Sequence, residues 1–221
     1  MSGMRLSMRV WDLPTRLFHW TIVLLLAIAW YTERTGRMSW HFYAGYAMLV
    51  LLLFRLVWGF VGSDTARFSR FLRSPAAALR HLMHFHRREP DNEIGHNAAG
   101  GWMVLVILLL LAAQVLTGLF ARDDDISEGP FRRYVSDAAS NWLSYVHYLI
   151  FDYLVLTAIA LHVLAVLAYA VVRGHNLLRP MITGKKRLPA AMRAPRMASP
   201  VLALLVLACA AGAVTLLLTT F

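Results

Sequence analysis

The sequence predicts an all-α polytopic membrane protein, a four-helix transmembrane bundle followed by a fifth, C-terminal transmembrane helix. Three observations predict it. Of the 221 residues, 59% are hydrophobic and only 15% charged, with mean hydropathy +0.56. A soluble domain needs more charged surface than that. Five stretches reach the roughly 20 mostly apolar residues that cross a bilayer, at 17–35, 40–62, 99–121, 142–172 and 199–220. Finally, the basic residues alternate from one connection to the next, as they do in multi-pass proteins.

Each element has its own justification. The first stretch follows Asp12, Pro14 and Arg16 and lacks a small-residue cleavage site, so it reads as a retained span rather than a signal peptide. Between the second and third, "SPAAALRHLMHFHRR" (74–88) reads as a short amphipathic helix at the membrane surface, capped by Ser74 with Pro75 at its first position. The fourth stretch exceeds a bilayer's thickness, so its first turns protrude or the helix tilts. The fifth carries the single cysteine, Cys209, a small packing residue. One cysteine excludes an intrachain disulfide, a Cys-rich iron–sulfur cluster and covalent haem attachment through C-x-x-C-H. No internal repeat is evident, and the remaining segments are too short for a sizeable soluble domain.

The net charge of +10 is positioned for a membrane rather than for nucleic acid. Arg5, Arg9 and Arg16 precede the first span; Arg67, Arg70, Arg73, Arg80, Arg87 and Arg88 fill the connection after the second. Arg173, Arg179, Lys185, Lys186, Arg187, Arg193 and Arg196 follow the fourth. The connection after the third opens instead with "RDDDISEGP". By the positive-inside pattern the N-terminus is cytoplasmic and the C-terminus outside, with the basic loops touching lipid headgroups.

Nine histidines are present. His81, His84 and His86 lie in the basic surface segment without a matching carboxylate or cysteine set, so they read as a solvated or headgroup-facing cluster. His175 reads as interfacial. Four others fall into two levels within the spans. His41 and His147 come just inside the outer face. His19 and His162 lie toward the inner one, His162 about 22 Å deeper than His147 at 1.5 Å per residue. Fifteen residues of regular helix rotate by about 60° net, so both histidines of the fourth span project broadly to one side.

Two facing imidazoles are too few for zinc, which wants four ligands. They match the two axial positions that a porphyrin leaves on haem iron, and Gly45, Gly100, Gly101 and Gly118 offer room for the macrocycle. With both axial sites filled there is no open position for oxygen, and electron transfer is the natural role. Arg55, inside the second span, is costly there unless paired. It lies about 21 Å inward of His41, where an inner haem propionate would neutralise it; snorkelling to the headgroups is the competing reading. Arg16, Arg34 and Arg37 are weaker propionate candidates. For any one histidine, an interhelical hydrogen bond competes with ligation. His96 has no depth partner beyond the inner level and reads as interfacial, second-shell, or part of a quinone or proton site; Asp152 and Tyr43 are further proton-donor candidates.

"WDLPTRLFHW", "HFYAGYAMLVLLLFRLVWGFVGS", "GHNAAGGWMVLVILLLLAAQVLTGLF", "VHYLIFDYLVLTAIALH" and "NLLRPMITGKK" together resemble the bacterial cytochrome b561 and Ni,Fe-hydrogenase-type cytochrome b subunit superfamily, over about residues 9–187. The resemblance implies a four-helix membrane protein with two haem b groups, held by histidines on the first, second and fourth helices: His19 with His162, and His41 with His147. It also implies electron transfer between a quinone, ubiquinone or menaquinone, and a periplasmic redox partner such as a c-type cytochrome or hydrogenase. In one branch the partner is replaced by superoxide, so a superoxide:quinone oxidoreductase is the alternative; a haem-free membrane anchor or transporter is the second. Residues 1–187 then form the haem bundle, and 188–221 a linker and extra helix outside the usual core, suited to partner docking or a homodimer. The "DDD" of the outer loop is suited to a basic partner surface.

Overall fold

The computed structural model describes residues 4–123 and 127–220. It is helical throughout its apolar stretches. Among the described residues, five helices are long and apolar enough to cross a membrane: α1 (Leu13–Arg34), α2 (Met38–Val61), α5 (Ala98–Gly118), a continuous 37-residue helix over Asp137–Arg173, and α9 (Pro200–Thr220). No more than 39% of any of these apolar windows is buried. Side chains such as Leu24, Leu109, Leu164 and Leu204 present apolar surface that a soluble monomer would not tolerate and lipid accepts. The chain is an all-α polytopic membrane protein.

Local chemistry sets the helix ends. Asp12 starts α1, its Oδ1 accepting from Thr15 N at 2.7 Å, the N-cap bond that satisfies one of the first turn's orphan donors. Its Oδ2 accepts from Trp58 Nε1 at 3.2 Å, so one buried carboxylate joins the start of α1 to α2. Asn97 caps α5 through Gly100 N at 2.8 Å. The surface helix α4 (Pro75–Met83) begins as expected, with Ser74 Oγ accepting from Ala77 N and Pro75 in its first turn, but it stops at Met83 rather than running to 88. A single turn, α3 (Phe68–Phe71), precedes it.

The fourth spanning helix is not regular. It comprises α6 (Asp137–Leu149), a π-helical segment over Ile150–Val155, α7 (Leu156–Ala168) and a second π segment over Tyr169–Arg173, ended by Gly174 in the left-handed region at φ +72°. That is where glycine closes a helix at least cost. A π turn uses i→i+5 bonds and so inserts residues relative to an α-helix. The 60° rotation expected over fifteen regular residues therefore does not carry over from His147 to His162.

Two short strands were not anticipated. β1 (Arg5–Arg9) pairs antiparallel with β4 (Lys185–Pro189), Arg5 opposite Pro189 and Arg9 opposite Lys185. Between β1 and α1, Val10 N donates to Gly184 O at 2.8 Å, just past the short helix α8 (Leu178–Thr183). Val10, Trp11 and Leu188 form a small buried cluster under the strands. A two-residue pair, β2 (Arg122–Asp123) and β3 (Ser127–Glu128), lies in the connection after α5. Asp123 is therefore in a strand, whereas Asp124 and Asp125 of the acidic run lie outside the described residues.

Contacts divide the chain into two compact units. The first holds the chain up to Leu17, Leu56–Leu105 and Ala160–Leu204; the second holds Phe18–Arg55, Val106–Ile159 and the chain from Leu205 on. The second unit contains the larger apolar core, with Ile22, Met48, Leu111, Val115, Ile150 and Val155 at its centre and Val214 of α9 packed among them.

Candidate functional site

Within the second unit, His41 and His147 come together. His41 stands in the first turn of α2 and His147 near the end of α6; their ring centroids are 6.2 Å apart and their planes 77° apart. Each is oriented by a backbone carbonyl. His41 Nδ1 lies 2.9 Å from Ala29 O on α1, and His147 Nδ1 lies 2.8 Å from Gln114 O on α5. A carbonyl oxygen only accepts, so Nδ1 carries the proton in both rings and Nε2 keeps its lone pair. Carbonyl-anchored Nδ1–H is the usual outer-shell arrangement of a metal-binding imidazole. Thr117 Oγ1 is 3.2 Å from His147 Nδ1 as well.

The side chain of Gln114 completes this local network. Its Nε2 donates to His147 Nε2 at 3.1 Å, while its buried Oε1 has no hydrogen-bond partner. A buried amide with half its capacity unused is costly. Sequence reasoning missed this residue, although a lone glutamine within "AAQVLTG" was a polar signal inside a span.

Both histidines line a cavity of about 330 Å³, within the range of cofactor sites. Its walls are mostly apolar, including Leu26, Met48, Val115 and Leu119, and its charged groups are Arg34 and Arg122 with the carboxylates Glu33, Asp123 and Asp152. Of the four glycines expected to make room, two line it. A Cβ at Gly45 would meet no atom within 4 Å, whereas one at Gly118 would stand 2.8 Å from His147 Cε1. Gly118 therefore admits the imidazole. Gly100 and Gly101 do other work: Gly100 receives the Asn97 cap, and a Cβ on Gly101 would be 2.5 Å from Phe71 O.

The remaining candidates are placed as follows. His19, in the second unit, meets Trp20 edge-on at 4.9 Å. His162 lies on α7 in the first unit. Arg55 is only 3% exposed, and a snorkelling guanidinium would be in contact with solvent or headgroups. Arg34 faces Asp152 at 3.7 Å and Glu33 at 3.2 Å. Arg16 donates to Ile182 O at 2.6 Å, a structural bond in the first unit. His96 packs between Trp11 and Phe71, at centroid distances of 4.7 and 5.0 Å. Tyr43 is exposed. Arg37 begins the turn into α2, its backbone N–H donating to Thr32 O at 2.8 Å.

Among the surface histidines, His81 departs from expectation. His81 is half-buried, hydrogen-bonded to Tyr169 Oη, which also accepts from Asn97 Nδ2 at 2.8 Å. His175 Nε2 donates to Glu89 O at 2.8 Å. Among the described residues no three His, Cys, Asp or Glu side chains converge on a metal position. The His41/His147 pair is a two-ligand set, which suits an ion whose other ligands come from a macrocycle.

Apolar spanning helices around a cavity faced by two carbonyl-anchored imidazoles define a membrane protein suited to a planar, axially ligated cofactor. The family model described as prokaryotic cytochrome b561 matches residues 10–184, and the chain belongs to that family. It is a multi-pass membrane b-type cytochrome that binds haem b and serves electron transfer. The match begins and ends at two residues that hydrogen-bond to each other, Val10 and Gly184, and leaves α9 outside. No curated protein and no solved structure matches the chain.

Proposed function

We propose that this cytochrome holds two haem b groups and passes electrons between the quinone pool, ubiquinone or menaquinone, and a periplasmic redox protein such as a c-type cytochrome or a hydrogenase. His41 and His147 would hold the outer haem, His19 and His162 the inner. The N-terminus is cytoplasmic and the C-terminus periplasmic. Residues 1–187 form the haem bundle, to which 188–221 add a linker and α9.

The observation that carries this reading is the pair of Nδ1–H···O=C bonds from His41 to Ala29 and from His147 to Gln114. They leave the lone pair of each Nε2 to serve as a ligand, that of His147 once the Gln114 amide moves aside. When bound, haem supplies a one-electron iron couple that the axial ligands and surrounding dielectric tune. The chain's own residues do the rest. Gly45 and Gly118 leave space, and Leu26, Met48 and Val115 exclude water. Arg34 and Arg122 supply positive charge for propionates. Arg55, buried in the same unit as His19, is a propionate partner at the inner level, where depth along the spans pairs His19 with His162. His96 remains a candidate beside the quinone.

The test is a redox titration of the purified protein with a haem count. Two haems per chain with resolvable potentials, and reduction by quinol that proceeds to an added periplasmic acceptor, are expected. Turnover with superoxide and quinone alone would replace the relay by an oxidoreductase. Absence of a b-type α-band in haem-replete cells would sink both.

A further inference from the structure

A second cavity, of about 290 Å³, lies wholly within the first unit. Ala98, the first residue of α5, and Arg173, the last of the fourth spanning helix, both line it. It is therefore at the ends of two spans, at headgroup depth rather than in hydrocarbon. Three arginines line it, Arg73, Arg80 and Arg173, against two carboxylates, Glu89 and Glu93.

The arginines are not saturated by those carboxylates. Arg173 is only 9% exposed, yet its Nη2 stands 3.5 Å from Glu89 Oε2 and its buried Nε has no hydrogen-bond partner. Arg73 Nη2 is 3.7 Å from Glu93 Oε2. Charge-assisted N–H···O bonds run at about 2.7–2.9 Å, so both forks retain donors, which suit the oxygens of a phosphate.

The helix that carries Arg80 has a second face. On α4, Leu79, Leu82 and Met83 are 61%, 54% and 67% exposed. The next side chain along from Arg80, His81, fixes the helix to Tyr169. A short basic amphipathic helix with an exposed apolar edge lies in the plane of a membrane surface, and basic pockets between span ends hold anionic headgroups.

We propose that this cavity binds the phosphate headgroup of an anionic phospholipid, with Arg73, Arg80 and Arg173 on the phosphate and Leu79, Leu82 and Met83 against its acyl chains. The charges select the headgroup, and the apolar edge distinguishes a lipid from free phosphate.

The test uses the haem-loaded protein in phosphatidylcholine nanodiscs titrated with spin-labelled phosphatidylglycerol, reading the immobilised fraction. Preferential immobilisation of phosphatidylglycerol over labelled phosphatidylcholine is expected. Arg80→Gln should weaken it about fivefold and the Arg73→Gln/Arg80→Gln pair roughly 25-fold, following the usual contribution of one cation near an anionic surface. Both arginines are exposed, and an unchanged haem spectrum verifies folding. Leu82→Asp, which keeps all three arginines, should also weaken it. Equal retention of the two lipids, unchanged retention in the double variant, or displacement by millimolar inorganic phosphate would each overturn the proposal.

Discussion

His147 is held at both ring nitrogens by one residue: the carbonyl of Gln114 takes its Nδ1 proton at 2.8 Å, and the amide of the same Gln114 donates to its Nε2 at 3.1 Å. The first contact can persist with an axial ligand in place, whereas the second occupies the lone pair that ligation needs. Gln114 is thus an orienting residue through its backbone and a displaceable partner through its side chain.

This separation can be measured. Gln114→Ala keeps the carbonyl and removes the amide, together with its unsatisfied Oε1. The haem-free protein should lose about 1 kcal/mol, the net value of one such bond. The haem-loaded protein should change by less. Thermal unfolding with and without haem reads the difference, and equal losses in both forms would mean that the amide stays in place when haem binds.

Gly118 gives a steric test of the same site. A methyl group 2.8 Å from His147 Cε1 and 3.1 Å from Nδ1 must displace the ring, because real carbons do not approach so closely. Gly118→Ala should cost the protein the haem that His41 and His147 hold in the proposed reading, as His41→Ala and His147→Ala should. Gly212→Ala, in α9 and not among the cavity's lining residues, where a Cβ likewise meets no atom within 4 Å, is the control expected to retain every haem. A pyridine haemochrome assay counts them.

The five spans were legible because hydropathy marks them, and so was the approach of His41 to His147, because depth along the spans places them at one level. The π segments were not, since i→i+5 bonding leaves no pattern in residues such as "IFDYLV". Nor was the pairing of "RLSMR" with "KKRLP", two polar-looking stretches that only the folded chain brings together. His81 looked solvated in "HLMHFH" because its partner, Tyr169, is 88 residues away. Gln114 escaped because attention to titratable groups passes over an amide.

Asp12 tests the frame rather than the site. Asp12→Ala removes the cap on Thr15 and the carboxylate that accepts from the indole N–H of fully buried Trp58. A loss of about 2–4 kcal/mol follows from one cap and one buried donor. Asp12→Asn should recover part of it by keeping one acceptor. Denaturant titration in mild detergent, followed by tryptophan fluorescence, distinguishes the two.

His81 gives a pH dependence. Burial, and after it the Arg173 guanidinium, hold its pKa below the ordinary 6.5, with Arg73 acting the same way and Glu93 and Glu89 opposing. A depressed folded-state value means that the unfolded chain binds the proton more readily. The stability that His81 contributes is therefore present above pH 6.5 and is lost as pH falls through the folded value. Amide protection across Ala76–Met83, measured against the intrinsic exchange rate at each pH, should fall between pH 7.5 and 5, and His81→Gln should flatten that response.

The strand pair β1–β4 has a consequence for biosynthesis. Pro189, the partner of Arg5, is made 184 residues after it, roughly 10–40 s later at ordinary elongation rates. Until then the N-terminal tail has no ladder to join. The clasp over Val10 and Trp11 shuts only after the fourth spanning helix has left the ribosome. Closure of this ring is thus a late assembly checkpoint: nascent chains arrested before Lys185 should be cut by trypsin at Arg5 and Arg9, and chains extended past Pro189 should resist.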